Sequence, residues 1–286
     1  MIDKYNYLID NKIGKLKILS LERKEKKSYI HVNYICDCGK TGSTRIYNIL
    51  NKPNISCGCN MAISKIKYNY NENAFKTLNT KSAYTLGLLY SDGCLVKNKN
   101  EVKISLVNDL AILEKLSIFI LNTIKIKTSY NVYNKMMYNF NFCNSAIYKD
   151  LLNWGLYPAK SKTLKIHPDL KFNSHFWRGM IDGDGCIMLQ TNKERYVYNN
   201  LTLKLCGTIE VCESFKKYCL SILPNYNNKI YIDKGKTNFA VYATFGEKAE
   251  CILNELYKDS NDLFLKRKKE KFNEYINYKL TKNEKH

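Results

Sequence analysis

Ser174-His175-Phe176-Trp177-Arg178-Gly179-Met180-Ile181-Asp182-Gly183-Asp184-Gly185 is the stretch on which the fold turns. Ser174 is the expected N-cap, and Phe176, Trp177, Met180 and Ile181 follow at helical spacing. Gly179 and Gly183 stand four residues apart on one face. Glycine inside a helix costs about 1 kcal/mol relative to alanine, so a closely packed partner helix is expected to compensate. A second stretch, Thr85-Leu86-Gly87-Leu88-Leu89-Tyr90-Ser91-Asp92-Gly93, puts Gly87 and Ser91 in the same places. Both stretches end in Asp-Gly, and Gly93 and Gly185 read as left-handed helix terminators. The aspartates are the unusual feature, because a carboxylate there faces the negative end of the helix macrodipole. A single Asp-Gly is most simply a turn. Two at matching points of a repeat imply that packed helices bring Asp92 and Asp184 together. Carboxylates so placed repel unless a hard cation such as Mg²⁺ or Mn²⁺ joins them, and Ser91 and Gly183 complete the expected ligand set.

The repeat extends well beyond these helices. After Asp92 come a polar tip at Lys97–Asn100, a strand over Val102–Val107 and a helix over Asp109–Leu121. Alternating strands over Tyr130–Phe142 and a helix over Ser145–Trp154 close this half. After Asp184 the order recurs: a tip at Asn192–Glu194, a strand over Leu201–Leu205 and a helix over Glu210–Leu223. Strands within Lys229–Phe245, turning at Asp233–Lys236, and a helix over Lys248–Tyr257 follow. The pattern predicts an α+β chain with two pseudo-symmetric halves, 80–168 and 169–286. Residues 1–60 form a small β-rich module, as the alternation in Lys15–Leu19 and Tyr29–Tyr34 indicates. Residues 61–79, rich in Asn, Lys and Tyr, read as a linker.

The two Asp-Gly stretches resemble the paired motifs of the LAGLIDADG homing endonucleases over residues 80–286, with Tyr90 where the family has an inner acid. That resemblance implies a monomer of two αββαββα halves whose saddle of antiparallel strands lies in the DNA major groove. It also implies divalent-metal cleavage of both strands at Asp92 and Asp184. The family places lysines near the scissile phosphates. Pro158–Lys162 and Phe264–Lys268 resemble those segments, which makes Lys160 and Lys268 catalytic candidates, with Lys162 and Lys266 beside them. Tyr133, Lys135, Tyr138, Asn139, Gln190, Lys193, Arg195, Lys234 and Lys236 are candidate strand residues for bases or phosphates.

Eleven cysteines without an export signal do not suggest a disulfide framework. Cys36-Asp37-Cys38-Gly39 and Cys57-Gly58-Cys59 instead make two thiolate pairs joined by a short β segment, suited to a tetrahedral Zn²⁺ site. The pairing also resembles small zinc modules at the ends of mobile-element nucleases. Such a unit would staple a thin core and add DNA contacts through Lys40, Arg45 and the lysines between Lys15 and Lys27. The other seven cysteines read as small buried hydrophobes. His31 reads as a plain strand residue, and His167 and His175 have no partner legible in the sequence.

Forty-six Lys and Arg against 26 Asp and Glu leave +20, the footprint of a polyanion partner. A Lys-rich codon bias accounts for lysine over arginine, since only five basic residues are Arg, but not for lysine over glutamate. No apolar run is long enough to span a membrane and no signal-peptide core opens the chain. The expected location is the cytoplasm or whichever compartment holds its DNA, in a bacterial or phage-infected cell or an organelle. Neither terminus carries intein-type splice residues, so a freestanding enzyme is expected. A non-cleaving DNA-binding regulator and an RNA-splicing maturase on the same fold are the alternative readings of these features.

Overall fold

Residues 3–23, 29–52, 54–59, 68–192 and 197–283 are described by a computed structural model of the chain. They fall into two compact units, Met1–Lys67 and Tyr68–His286.

In the first unit β1 (Lys12–Ile13), β2 (Leu16–Arg23), β3 (Ile30–Cys36) and β4 (Thr41–Arg45) form an antiparallel sheet in sequential order. Its core is small: Leu8, Leu16, Ile18, Val32, Cys36 and Ile49 are buried. Between the cysteine pairs the expected β segment is β4, but a short helix, α1 (Ile46–Leu50), follows it and supplies Ile49 to the core. Lys24, Lys26 and Lys27 lie outside the described residues.

The second unit runs αββαββα twice. The first pass is α2 (Thr80–Ser91), β5 (Gly93–Val96), β6 (Glu101–Val107), α3 (Leu110–Leu121), β7 (Lys127–Tyr130), β8 (Met136–Cys143) and α4 (Ser145–Asn153). The second is α5 (Ser174–Gly183), β9 (Gly185–Asn192), β10 (Val197–Gly207), α6 (Ile209–Ile222), β11 (Ile230–Ile232), β12 (Ala240–Phe245) and α7 (Gly246–Tyr257). The sheets have the same order, β5-β6-β8-β7 and β9-β10-β12-β11, and every pairing is antiparallel. A further helix, α8 (Lys266–Asn283), was not expected. Its Lys-Arg-Lys-Lys opening hides the apolar stripe that buries Phe272 and Tyr275.

The helix seam is as tight as the small residues demand. A Cβ on Gly87 would lie 2.1 Å from the Phe176 carbonyl oxygen, and one on Gly179 2.3 Å from that of Tyr84. Gly183 faces Ser91, whose Oγ would be 1.8 Å from an added Cβ. Tyr84, Tyr90, Phe176 and Trp177 are fully buried around this crossing, each contributing on the order of 1.5–3 kcal/mol through apolar burial.

Several expectations are corrected. Gly93 and Gly185 do not adopt positive φ; they open β5 and β9. Glycine is needed there because a Cβ would come 2.5 Å from the carbonyl oxygens of Leu89 and Ile181. The N-cap of α5 is Asn173, whose side chain accepts from Phe176 N–H at 3.0 Å, and Ser174 is the first helical residue. Asn79 caps α2 in a reciprocal box with Ser82. Residues 68–79 are no free linker: Ala74 and Phe75 are buried, and Trp154 Nε1 donates to the Phe75 carbonyl at 2.6 Å. Of the seven remaining cysteines only Cys212 and Cys219 are buried, while Cys94, Cys143, Cys186 and Cys251 are exposed.

Candidate active site

Asp92 and Asp184 are the C-caps of α2 and α5, the two helices of the seam. Each keeps a backbone bond into the last turn, Asp92 N–H to Leu88 O at 2.9 Å and Asp184 N–H to Met180 O at 3.0 Å. That fixes where each side chain leaves the helix. Both side chains keep an open face, yet the groups crowded around them strip hydration. Asp92 is pushed up to about 6 by this lost hydration and by the negative charge of Asp184. Asp184 is also raised by lost hydration, against the pull of Lys160 and Lys268.

A lysine lies against the end of each helix. Lys160 sits in a one-turn helix (Lys160–Lys162) after Ala159, and its Nζ donates to the Ser91 carbonyl at 3.0 Å. Burial lowers its pKa, while Asp184 and Asp92 oppose the shift. Lys268, in the first turn of α8, is 5% exposed. Its Nζ faces the carbonyls of Ile181 (2.6 Å), Asp182 (2.5 Å), Gly185 (2.7 Å) and Gly183 (3.3 Å). Burial brings it down to about 8. Lys162 and Lys266 are exposed, and Lys266 pairs with Glu270 at 3.7 Å.

Behind the acids lies a polar cluster the sequence did not disclose. Asp182, completely buried, accepts from the Tyr84 hydroxyl at 2.8 Å and from Leu265 N–H at 2.9 Å. Lost hydration raises it to about 6 despite these bonds. Arg178, also buried, donates to the carbonyls of Leu263 (2.7 Å) and Leu256 (2.8 Å) and lies over the Tyr84 ring. His175 gains partners here, Arg178 at 3.0 Å and Thr80 at 3.3 Å. At the position matching Asp182, Tyr90 donates to the Trp154 carbonyl.

No sequence-family profile and no curated protein matches the chain. Solved structures do. The LAGLIDADG homing endonuclease I-GzeII in complex with its DNA target superposes with a TM-score of 0.51 at 14% identity. The match covers 73% of this chain and 93% of that one. Meganuclease I-SmaMI, bound to uncleaveable DNA, gives 0.50 at 12% identity over 73% of this chain and 92% of that one. The chain has the LAGLIDADG fold.

Within that fold the residues singled out for DNA contact separate by position. Asn139 lies on the sheet face away from the core, and Gln190 is exposed on the corresponding face of the other sheet. Tyr138 is not available there, since it packs against the core beside Phe140 and Phe142. Tyr133 and Lys135 sit in the turn joining β7 and β8, and Lys234 and Lys236 in the turn after β11. Lys193 and Arg195 lie outside the described residues. In the other unit Lys40 is exposed, and the Arg45 guanidinium stacks over Tyr29 at 4.5 Å.

Cys36, Cys38, Cys57 and Cys59 converge, with all four Sγ atoms within 4.8 Å of one another. The pairs Cys38–Cys57 and Cys36–Cys59 lie at 3.3 and 3.6 Å. Gly39 and Gly58 have φ of +85° and +102°, which lets the chain fold back at each knuckle. Backbone donors from Cys38 and Cys57 lower the Cys36 thiol to about 6, while the bond to Cys38 raises the Cys57 thiol to about 12, as four sulfurs crowded together require. The donor set fits a tetrahedral soft cation. Two open carboxylates brought together at the ends of packed helices fit a hard one at Asp92 and Asp184.

Proposed function

We propose that this protein is a site-specific homing endonuclease of a mobile element, acting as a monomer with Mg²⁺ or Mn²⁺ to hydrolyse both strands of duplex DNA. The observation that carries this reading is the convergence of Asp92 and Asp184 at the ends of the two packed helices, where a Cβ on Gly183 would lie 2.6 Å from Asp92 Oδ2. Carboxylates crowded in this way gain nothing in a pure DNA binder, where they would repel phosphates, and gain a role once a cation joins them. The +20 charge supplies the attraction for DNA. I-GzeII and I-SmaMI, which share the fold, are both described with DNA bound.

Asp92 and Asp184 are the residues that would hold the ion; the Ser91 and Gly183 carbonyls, expected beside them, accept from Lys160 and Lys268. A divalent cation bound there supplies a more acidic water and charge neutralisation at the phosphate. The chain's own part is positional. The glycine seam fixes the carboxylates, Lys268 and Lys160 hold the helix ends that carry them, and both ammonium groups add positive charge where a phosphate arrives. The four cysteines would bind Zn²⁺ and hold the first unit in a form that presents Lys40 and Arg45 to flanking DNA. The enzyme works in the compartment that holds its target.

The test is a supercoiled plasmid carrying the gene's own insertion site. Linear product is expected with Mg²⁺ or Mn²⁺ and none without. Tight binding with no cutting under any divalent ion would replace the nuclease reading with a regulator. Metal analysis of protein purified without chelator should find about one zinc per chain.

A further inference from the structure

The two sheets share a backbone plan but not a surface. Superposing their registers on Asp92 and Asp184 pairs β5 with β9, β6 with β10, β7 with β11 and β8 with β12. On the face away from the core, Cys94 lies across from Lys103, and Cys186 across from Lys204. These neighbours of the paired acids are the same in both halves.

Beyond them the chemistry diverges. In the first sheet Ser105 donates to Asn139 at 2.8 Å, Asn139 donates to Ser129 at 2.8 Å, and Asn141 donates to Glu101 at 3.2 Å. Lys103 pairs with the same Glu101 at 3.4 Å. The matching positions in the second sheet are Cys206 for Ser105, Val241 for Asn139, Ala243 for Asn141 and Thr202 for Glu101. Met188, Thr202 and Phe245 lie in one row across three strands. Thr202 is fully buried and its hydroxyl has no hydrogen-bond partner among the described residues. Phe245 stands 42% exposed. The first face is a hydrogen-bonding surface; on the second the β12 positions Val241, Ala243 and Phe245 are apolar, beside Lys204 and Cys206 on β10, with Gln190 and Tyr231 at the margins.

We infer that the two halves read DNA by different chemistry, the first sheet through hydrogen bonds to base edges and the second through apolar contact with thymine methyl groups. This rests on the endonuclease reading, in which both faces line a major groove. The partner at the second face is the same duplex, because that face continues from the paired acids as the first one does, carries Lys204 between Cys186 and Ala243, and is flanked by Lys229, Lys234 and Lys236. Val, Ala and Phe side chains offer no donor or acceptor, so bidentate base contacts cannot come from them. The thymine 5-methyl is the apolar group that base pairs present in the major groove.

Deoxyuridine in place of thymine keeps base pairing and removes only that methyl. Binding would be measured with the full-length Asp92→Asn, Asp184→Asn protein on three duplexes. One is the natural insertion site, and the others have deoxyuridine throughout one half-site or the other. One half-site is expected to lose about fourfold in affinity per methyl contacted, and the other to change less than twofold. Val241→Ala with Phe245→Ala should erase the penalty, and Asn139→Ala should leave it. Equal penalties, no penalty, or a penalty erased by Asn139→Ala instead would overturn the inference. Failure to bind the natural duplex would overturn the endonuclease reading itself.

Discussion

The seam between α2 and α5 has one solution on its first-half side and another on its second. By the internal symmetry, Tyr84 facing Asp182 corresponds to Phe176 facing Tyr90. The former pair is a buried hydrogen bond of 2.8 Å, the latter an edge-on aromatic contact with centroids 5.1 Å apart. The lysines differ in the same way: Lys268 is buried under four carbonyls, whereas Lys160 makes one such contact. The carboxylates they back occupy equivalent places. Backbone geometry at the acids is therefore what the two halves share, while the chemistry that supports it differs between them.

The largest expected effect tests whether the halves share one site. Asp92→Asn or Asp184→Asn should each cut linearisation of supercoiled DNA at least about a thousandfold, since metal stabilisation is worth several kcal/mol at roughly tenfold per 1.4 kcal/mol. Joint loss of both cuts means a shared ion, nicking by one variant means independent halves, and full cleavage by the double variant would end the proposal. Next come the lysines. Lys268→Met should destabilise the chain by about 2–3 kcal/mol in chemical denaturation, because buried carbonyls lose a charged donor. Lys160→Met should cost under about 1 kcal/mol, and equal losses would erase the asymmetry. Tyr84→Phe, which leaves Asp182 short of a donor, should cost about 1–3 kcal/mol, against about 1 kcal/mol for Tyr90→Phe. The smallest effect is in pH. Asp92 titrates near 6 when folded against 3.8 ordinarily, so the folded chain binds more protons between those values. Metal-free stability should therefore fall as pH rises through that window, and Asp182 acts in the same direction. Cleavage at limiting Mg²⁺ should run the other way, failing as pH drops below about 6. An unchanged melting temperature from pH 4 to 7 would contradict the crowding at Asp92.

What was legible in the sequence was local or repeated. Helical spacing from Phe176 to Ile181, the two Asp-Gly endings and the doubled cysteine pairs need only near neighbours to be read. The pairing of Asp182 with Tyr84 joins residues 98 apart, and no local pattern marks it. Tyr138 and Asn139 were read alike although they occupy opposite faces of β8, because the side each takes depends on strand register. Asn173 and Ser174 are both good capping residues, so composition could not choose between them. Aligning the two halves on their aspartates was the signal that would have found Lys103 and Lys204.

The contact between Gly183 and Ser91 has a consequence for assembly. The serine hydroxymethyl fills the hollow that the glycine leaves, so the two helix surfaces are complementary rather than alike. Two copies of the first half, meeting through this surface, would press hydroxymethyl against hydroxymethyl, whereas the second half presents only glycine at this point. At this point each half is matched to the other as an unlike partner, and covalent linkage in one polypeptide keeps the two matched surfaces together.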